Sequence, residues 1–379
     1  METRFLRIRK ITSYTFLSIA LFFSSCKKDN EEPVIQIQPL TEHEAIGVYV
    51  LNEGVYSSEI GASESSITFY SIKDNLTEQD YYKKVNGQSL GVNANYLKSY
   101  GSKLYCVVTG TEGDQNSYVD VMDLNTGKSI KRIVFYVASS SKMPRYITFD
   151  KGKAYVSAYD GSVSKIDTSS LNIEASVQLS KGLEQLVIAK NKLYVANSKH
   201  PFYEGKANVV SVVDLNTFTK VRDIEVDTNP TGLTLSSTGD LFVSSQGTYS
   251  DTWEFQNNAS VTRIDVNTDT KKDIYKYNSG KQAVSLTSHN GLTYAYGEGV
   301  LKVFSVFDGS LGVDFVKDNT SIGYTNELTI EALSNNVYIS DSGDFSAGKV
   351  ICFEKNGKKK FDFIAQAFPK SVAFKYLYK

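Results

Sequence analysis

Short runs of apolar residues alternate with polar, turn-rich segments along most of the chain. The segment Lys192–Thr217 shows this pattern clearly: the β-prone runs KLYVAN and NVVSVVDLNT flank the polar stretch SKHPFYEGKA. KLYVAN carries apolar residues at successive positions, which is typical of a strand covered on both faces rather than on one. The pattern therefore predicts a small sheet that packs between two neighbouring sheets.

The first of these two runs belongs to a pattern that occurs seven times along the chain, and each copy is centred on a Tyr or a Phe. The central residues are Tyr49, Tyr105, Tyr155, Tyr194, Phe242, Tyr294 and Tyr338. Consecutive central residues are 56, 50, 39, 48, 52 and 44 positions apart. A period of about 40–50 residues with four short strands per unit is typical of a β-propeller.

The first copy lacks the preceding inner strand that the other six copies have. At the other end of the chain, FPKSVAF (Phe368–Phe374) has the pattern of an inner strand but no unit follows it. We therefore predict an all-β fold, a seven-bladed β-propeller, in which the C-terminal strand completes the first blade and closes the ring. Closure pairs the two chain ends and removes exposed sheet edges, which would otherwise favour aggregation.

The N-terminal residues have the features of an export signal. Basic residues precede the apolar stretch Tyr14–Phe23, which is too short to span a bilayer comfortably. The following Phe-Ser-Ser-Cys resembles the lipobox of bacterial lipoproteins, which implies cleavage before Cys26 and acylation of that residue. The alternative is an ordinary secretory signal with an incidental cysteine. The predicted division is a signal peptide at 1–25, an acylated Cys and flexible tether at 26–45, and the propeller at 46–379.

Net charge and amino-acid composition limit the classes of partner and fold that the sequence allows. Loss of the first 25 residues, which hold four basic groups and one Glu, would change the net charge from −1 to −4. This mild acidity, without a basic stripe, argues against nucleic acid as a partner. The content of 25 Tyr and 20 Phe against one Trp and six Pro suits an all-β protein. Cys106 and Cys352 each fall within a strand pattern, and we expect both to be buried free thiols.

Five long loops are predicted on one face of the ring, each between the second and third strands of a blade. They combine aromatic, amide and acidic side chains, which give binding surfaces rigid apolar area together with specific hydrogen bonds. The alternative is that these side chains pack over the rim and hold their own loops. The candidate ligand-binding residues from this face are Tyr56, Glu112, Asp114, Tyr159, His200, Phe202, Tyr203, Gln246, Tyr249, Trp253, Phe255 and Phe345.

The connections between blades add candidates at the centre of the same face. Arg145 directly precedes a predicted inner strand, so it could point into the central channel. The alternative for each residue is a channel-lining side chain held by water. The ligand-binding candidates from the connections are Arg145, Tyr146, Gln185 and Asn326, next to Glu184 and Glu327.

Signals of catalysis are poor, and the sequence predicts a protein that is not an enzyme and needs no cofactor. The chain has three His, which fall in the tether, in one long loop and in a turn on the opposite face. They cannot form a multi-histidine metal site together, and no Ser-His-Asp arrangement is apparent. The acidic pair Asp341 and Asp344 lacks the full spacing of an EF-hand loop, and a solvated turn is the stronger interpretation.

Several segments resemble one known family across the whole predicted mature chain. VYVLNEG, the later VDVMDLNTGKSIKRI and ISDSGDFSAGKVICFEKNGK are similar to segments of the YncE-like, DUF5074-type surface lipoproteins of Bacteroidetes. The KKDNEEP segment after Cys26 resembles the signal that sends such lipoproteins to the outer face of the outer membrane. The family includes the BtuG-type propellers, which capture cobalamin beside a TonB-dependent transporter. The resemblance implies a lipid-anchored, cell-surface protein that captures a small-molecule ligand and passes it to such a transporter.

Three functional hypotheses follow from the sequence. The first is a surface propeller that captures a nutrient, with cobalamin or another corrinoid as the favoured cargo. The second is an interaction scaffold whose loop-bearing face binds a transporter or another surface protein. The third is a propeller hydrolase or lyase with a central cation.

Overall fold

The computed structural model describes residues 42–57, 61–138, 140–199, 205–250, 254–278, 285–343 and 347–378. In this part of the chain, seven four-stranded antiparallel sheets form the blades of a ring. Each blade places its first strand next to the central channel and its fourth strand at the rim. The prediction of an all-β, seven-bladed propeller is confirmed.

The strands of a blade follow one another in chain order from the channel outwards, except that blade 1 begins with the C-terminal strand. Blade 1 contains Pro369–Tyr378, Glu42–Asn52, Ser66–Ser71 and Leu76–Glu78; blade 2 contains Ala94–Tyr100, Lys103–Val108, Tyr118–Asp123 and Ser129–Val134. Blade 3 contains Pro144–Asp150, Lys153–Ala158, Ser162–Asp167 and Ile173–Gln178; blade 4 contains Leu183–Ala189, Lys192–Asn197, Val209–Asp214 and Thr219–Glu225.

The remaining three blades have the same arrangement. Blade 5 contains Pro230–Leu235, Asp240–Ser245, Ser260–Asp265 and Thr270–Lys276. Blade 6 contains Ser285–His289, Leu292–Gly297, Val300–Phe304 and Val313–Asp314. Blade 7 contains Thr325–Ile330, Val337–Asp341, Lys349–Phe353 and Lys359–Ile364.

The C-terminal strand closes the ring as predicted. It pairs antiparallel with the strand that carries the first repeat copy, with Val372 opposite Val50 and Phe374 opposite Val48. His43, which the sequence assigned to the tether, lies in this second strand of blade 1. Blade 1 therefore joins the two ends of the described chain in one sheet.

Seven apolar clusters hold the blades together, one between each pair of neighbours. Each cluster contains one of the seven repeated aromatic residues. Tyr49, for example, packs in the cluster between blades 1 and 2, and its hydroxyl donates a hydrogen bond to the Leu124 carbonyl oxygen at 2.8 Å. The repeat is thus explained by packing, because each blade needs one large side chain to fill the wedge towards the next blade.

The ring has two faces, which differ in the loops they carry. The upper face carries the loops between second and third strands and the connections from one blade to the next. The lower face carries the tight hairpin turns, such as the turn at 214–219, where Asp214 Oδ1 accepts hydrogen bonds from the backbone N–H groups of Asn216 and Thr217. Such Asp-x-Asn-Thr turns are typical of short hairpins.

Outside the seven sheets, the described residues form three two-stranded ribbons and one short helix. The ribbons pair Tyr56–Ser57 with Gly61–Ala62, Tyr136–Val137 with Ser140–Ser141, and Thr248–Tyr249 with Phe255–Asn257. The helix Tyr81–Asn86 lies in the connection from blade 1 to blade 2 and buries Tyr82. In the described residues, no helix has the length and apolar character needed to cross a membrane.

The two cysteines of the propeller lie in blades 2 and 7. Cys106 and Cys352 are both buried, and neither forms a disulfide. Burial raises the pKa of the Cys352 thiol to about 11. The expectation of two buried free thiols is confirmed, and these side chains serve as small apolar core residues.

Candidate functional site

Within the described residues, the upper ends of the inner strands are irregular in six of the seven blades. In each of these six blades the inner strand gains at least one residue relative to its partner, as between Pro144 and Ile147 in blade 3. Such β-bulges bend a strand and turn side chains in new directions, and they are frequent next to functional sites. Four sequence candidates lie at these bulges, namely Arg145, Tyr146, Gln185 and Asn326.

Most polar side chains at the bulges connect one blade to the next. Asn95 Nδ2 donates to the Arg145 carbonyl oxygen at 2.7 Å, and its Oδ1 accepts from Lys370 Nζ at 2.9 Å. Gln185 Oε1 accepts from the Leu233 backbone N–H at 2.8 Å. These bonds satisfy polar groups and fix the angle between neighbouring blades, so part of the predicted site has a bracing role.

Arg145 shows most clearly how one side chain can connect two neighbouring blades. Its guanidinium forms two hydrogen bonds with the Glu184 carboxylate, from Nε at 3.0 Å and from Nη2 at 3.3 Å. The guanidinium carbon also lies 4.5 Å from the ring centroid of Tyr159, whose hydroxyl donates to Glu184 Oε1 at 2.8 Å. The arrangement is a closed charge cluster between blades 3 and 4, with every charge in it paired.

The central channel is a cavity of about 490 Å³ that runs through the ring and is lined by the inner strands of all seven blades. It extends from Gln246, a sequence candidate on the upper face, to His289 at the lower end of the blade 6 inner strand. Within the described part of the chain, no group of three or more His, Cys, Asp or Glu side chains is arranged to hold a metal ion.

Strand register places channel residues in two rings. The lower ring consists of the residues directly opposite the seven repeated aromatics, and it is mostly small and polar. Its members are Lys98, Thr148, Val187, Thr234, Thr287, Thr329 and Ala373. The upper ring lies two residues earlier in each strand, and its channel-lining members are Tyr96, Tyr146, Gln185, Gly232, Ser285 and Glu327.

The upper ring combines aromatic and carboxyl groups. The Tyr96 and Tyr146 rings lie 4.9 Å apart between centroids, and burial raises the pKa of both hydroxyls. Burial also raises the pKa of Glu327 to about 8, although Lys370 and Lys98 oppose part of this rise. The Glu327 carboxyl therefore retains its proton to a higher pH than an ordinary glutamate does.

From the raised pKa of Glu327 we predict how the free energy of unfolding depends on pH. Between its ordinary value of 4.5 and its folded value of about 8, the folded protein binds more protons than the unfolded chain. The contribution of Glu327 to the free energy of unfolding therefore falls as the pH rises through this window. Replacing Glu327 with Gln removes the penalty, so the Glu327→Gln variant should gain thermal stability over the wild type between pH 5 and pH 9.

Thermal unfolding midpoints at pH 5 and pH 9 would check this prediction. The exposed Glu225 on the outer strand of blade 4 offers a matched control, since Glu225→Gln is a surface substitution and should change stability by at most about 0.5 kcal/mol. An equal difference between Glu327→Gln and the wild type at both pH values would contradict the assignment.

A second cavity of about 390 Å³ opens at the edge of the upper face, where blades 1, 2 and 7 meet. Its polar lining includes Glu64, Asp80, Lys83 and Gln366. Lys83 Nζ lies 3.4 Å from Glu64 Oε2, and Gln366 Nε2 donates to Asp80 Oδ1 at 3.1 Å. The upper face therefore offers two hydrogen-bonding concavities, one central and one peripheral.

Five of the remaining sequence candidates lie in the described parts of the loops of the upper face. Glu112 and Asp114 lie exposed on the blade 2 loop. The backbones of Tyr56, Tyr249 and Phe255 lie in the short ribbons of the same face, and Tyr249 pairs with Phe255. The candidates that lie outside the described residues are Cys26, His200, Phe202, Tyr203, Trp253 and Phe345.

The channel residues that were not among the sequence candidates include Tyr96 and Lys98. Their sequence, ANYLKSY, looks like an ordinary inner strand because a lysine with an aliphatic stem is common on half-buried strands. The pairing of strands gives a signal that could have identified Lys98. This lysine lies opposite the repeated aromatic Tyr105, at a position where the other blades have a smaller residue. Alignment of the seven repeats on that aromatic would have singled out Lys98.

Comparison with known proteins supports the fold. No curated protein sequence matches the chain. Solved structures of similar fold include the hydrazine synthase of Kuenenia stuttgartiensis, at 17% identity and a TM-score of 0.55, covering 71% of this chain and 80% of that one. The computationally designed Ika8 protein matches at 13% identity and a TM-score of 0.53, covering 89% of this chain and 92% of that one.

A third similar structure is the dihydro-heme d1 dehydrogenase NirN in complex with DHE, at 8% identity and a TM-score of 0.55, covering 90% of this chain and 78% of that one. At such identities these likenesses concern the fold alone. A family model described as a domain of unknown function, DUF5074, matches residues 46–375, nearly the whole described ring. The chain therefore belongs to the DUF5074 family.

Proposed function

We propose that this protein is a ligand-binding lipoprotein of the cell surface, without a catalytic role, whose upper face captures a corrinoid such as cobalamin. In this proposal, acylated Cys26 anchors the chain to the outer membrane, and the captured ligand passes to a TonB-dependent transporter. Family membership and the sequence resemblance described above support this assignment over a free-standing scaffold.

One structural observation carries the proposal. The bulged ends of six inner strands, the described parts of the loops between second and third strands and the cavity of about 390 Å³ lie on the same face of the ring, and the central channel reaches this face at Gln246. A corrinoid is a broad, flat ring with polar arms, so it needs a wide surface with several separated hydrogen-bonding concavities. The upper face offers such a surface, whereas the lower face consists of short hairpin turns.

Titration of the soluble chain 27–379 with cyanocobalamin tests the proposal. We expect measurable heat by calorimetry and a change in the absorption spectrum of the corrinoid. The double variant Phe202→Ala/Tyr203→Ala should weaken binding by about tenfold or more, because aromatic side chains carry much of the binding energy at such surfaces.

A matched control lies in the same blade on the opposite face. The double variant Asn216→Ala/Thr217→Ala alters the lower hairpin turn of blade 4 and should bind cyanocobalamin like the wild type. Absence of heat and of any spectral change with the wild-type chain would exclude a corrinoid as the cargo. The proposed association with a transporter, which ligand transfer requires, can be examined separately. The test is co-purification of the full chain with TonB-dependent transporters from outer membranes.

A further inference from the structure

The channel contains one acidic and one basic side chain that face a common space from two different blades. Glu327 belongs to the upper ring and is supplied by blade 7, whereas Lys98 belongs to the lower ring and is supplied by blade 2. Blade 1 lies between these blades and contributes the small residue Ala373 to the lower ring. The small side chain leaves room in front of blade 1, between the carboxyl and the ammonium group.

Neither group has a partner among the described residues. Neither the Glu327 carboxyl nor Lys98 Nζ forms a hydrogen bond or salt bridge there, although each is close enough to influence the pKa of the other. The contrast with the other charged groups around the upper channel is clear. Arg145 is paired with Glu184, and Lys370 Nζ lies 3.0 Å from Glu53 Oε2.

This lack of partners carries an energetic cost. Burial raises the pKa of Glu327 and lowers the pKa of Lys98, so both charged forms are disfavoured in the channel. A buried charge is stabilised when a group of opposite charge and hydrogen-bonding capacity reaches it. A molecule that carries both charges would satisfy Glu327 and Lys98 together.

We propose that the channel is a second binding site, for a small zwitterion of the amino-acid type, with its ammonium group at Glu327 and its carboxylate at Lys98. The channel volume of about 490 Å³ accommodates such a molecule. Thr329, the lower-ring residue of blade 7, supplies a hydroxyl group that can bind a polar ligand in the same space. This site is independent of corrinoid capture, which the loops of the upper face would perform.

Calorimetric titration of the full-length protein with L-alanine tests this inference, with ethylamine and propionate as probes that carry only one of the two charges. We expect L-alanine to bind at least about tenfold more tightly than either single-charge probe. Glu327→Gln and Lys98→Met should each weaken L-alanine binding by about tenfold or more, since each leaves one charge of the ligand unpaired.

Two further variants test whether L-alanine binding depends on the charges of Glu327 and Lys98. Exchanging the charges, with Lys98→Glu and Glu327→Lys in one chain, should restore binding relative to the single variants, because the zwitterion can reverse its orientation. Thr234→Val, in the lower ring on the far side of the channel from blade 1, should bind L-alanine like the wild type. Thermal unfolding of every variant confirms that the ring has formed, and Lys98→Gln replaces Lys98→Met if the latter does not fold.

Three outcomes would overturn the inference. They are no binding of L-alanine by the wild type, equal binding of L-alanine and the single-charge probes, and unchanged affinity in the folded Glu327 and Lys98 variants. The first outcome would mean that water alone occupies the space between the two charges. A negative cyanocobalamin titration would leave the channel inference standing, and failure of the channel site would leave corrinoid capture standing.

Discussion

Deletion of residues 369–379 is expected to abolish cooperative folding of the propeller. This segment is the inner strand of blade 1, and it buries Val372, Ala373 and Phe374 in the clusters that join blade 1 to both neighbours. Loss of one buried Phe side chain alone costs about 3–5 kcal/mol. Since the free energy of unfolding of natural domains is only about 5–15 kcal/mol, loss of the whole strand should exceed what the ring can tolerate.

Near-ultraviolet circular dichroism and thermal unfolding would measure this effect. Leu377→Ala offers a matched control in the same strand, because Leu377 is 38% exposed and its truncation should change stability by less than about 0.5 kcal/mol. Addition of a synthetic peptide of residues 366–379 to the truncated chain should restore the unfolding transition by strand addition. A truncated protein that still unfolds cooperatively at the wild-type temperature would contradict the role assigned to closure.

Replacement of Glu184 by Ala should destabilise the fold by about 3–5 kcal/mol, because the substitution leaves a mostly buried guanidinium without its partner. Only 14% of the Arg145 side chain and 8% of the Glu184 side chain are exposed. Tyr159 would lose the acceptor of its hydroxyl in the same variant. Chemical denaturation, with the midpoint and slope fitted together, gives the change in the free energy of unfolding.

A second substitution separates the cost of an unpaired charge from the cost of lost packing. The double variant Glu184→Leu/Arg145→Met removes both charges and should recover most of the lost stability. The exposed pair Lys302 and Asp314, on blade 6, is a control, since Asp314→Ala should cost at most about 1 kcal/mol. A similar loss from Asp314→Ala and Glu184→Ala would show that burial of the pair has no special importance.

Most of the architecture could be predicted from the sequence because it depends on a repeated local pattern. The seven aromatics lie at one position of each blade, and packing between neighbouring blades requires a large side chain there. Closure of the ring could be predicted because the first repeat copy lacks a preceding inner strand, whereas the C-terminal segment has the pattern of an inner strand with no unit after it. The helix Tyr81–Asn86 was not predicted, because six residues give too short a window for a helical period.

The site was less predictable because it depends on contacts between repeats. Arg145 and Glu184 occupy the same position of consecutive inner strands, so their pairing could have been found by aligning the repeats. The opposition of Glu327 and Lys98 is harder to predict, since they come from different rings and from blades separated by blade 1. The bulges shift the register near Glu327, and no local sequence signal gives the direction of such a shift.

Closure by the last strand also has a consequence for biosynthesis. The strand Glu42–Asn52 emerges from the ribosome before blades 2 to 7, but its partner Pro369–Tyr378 is made only after all of them. Throughout that interval blade 1 has an open edge, and the apolar surfaces of Val48 and Val50 lack part of their cover. A nascent chain of this kind depends on protection from aggregation until the closing strand has been made, since its most distant contact in sequence must form last.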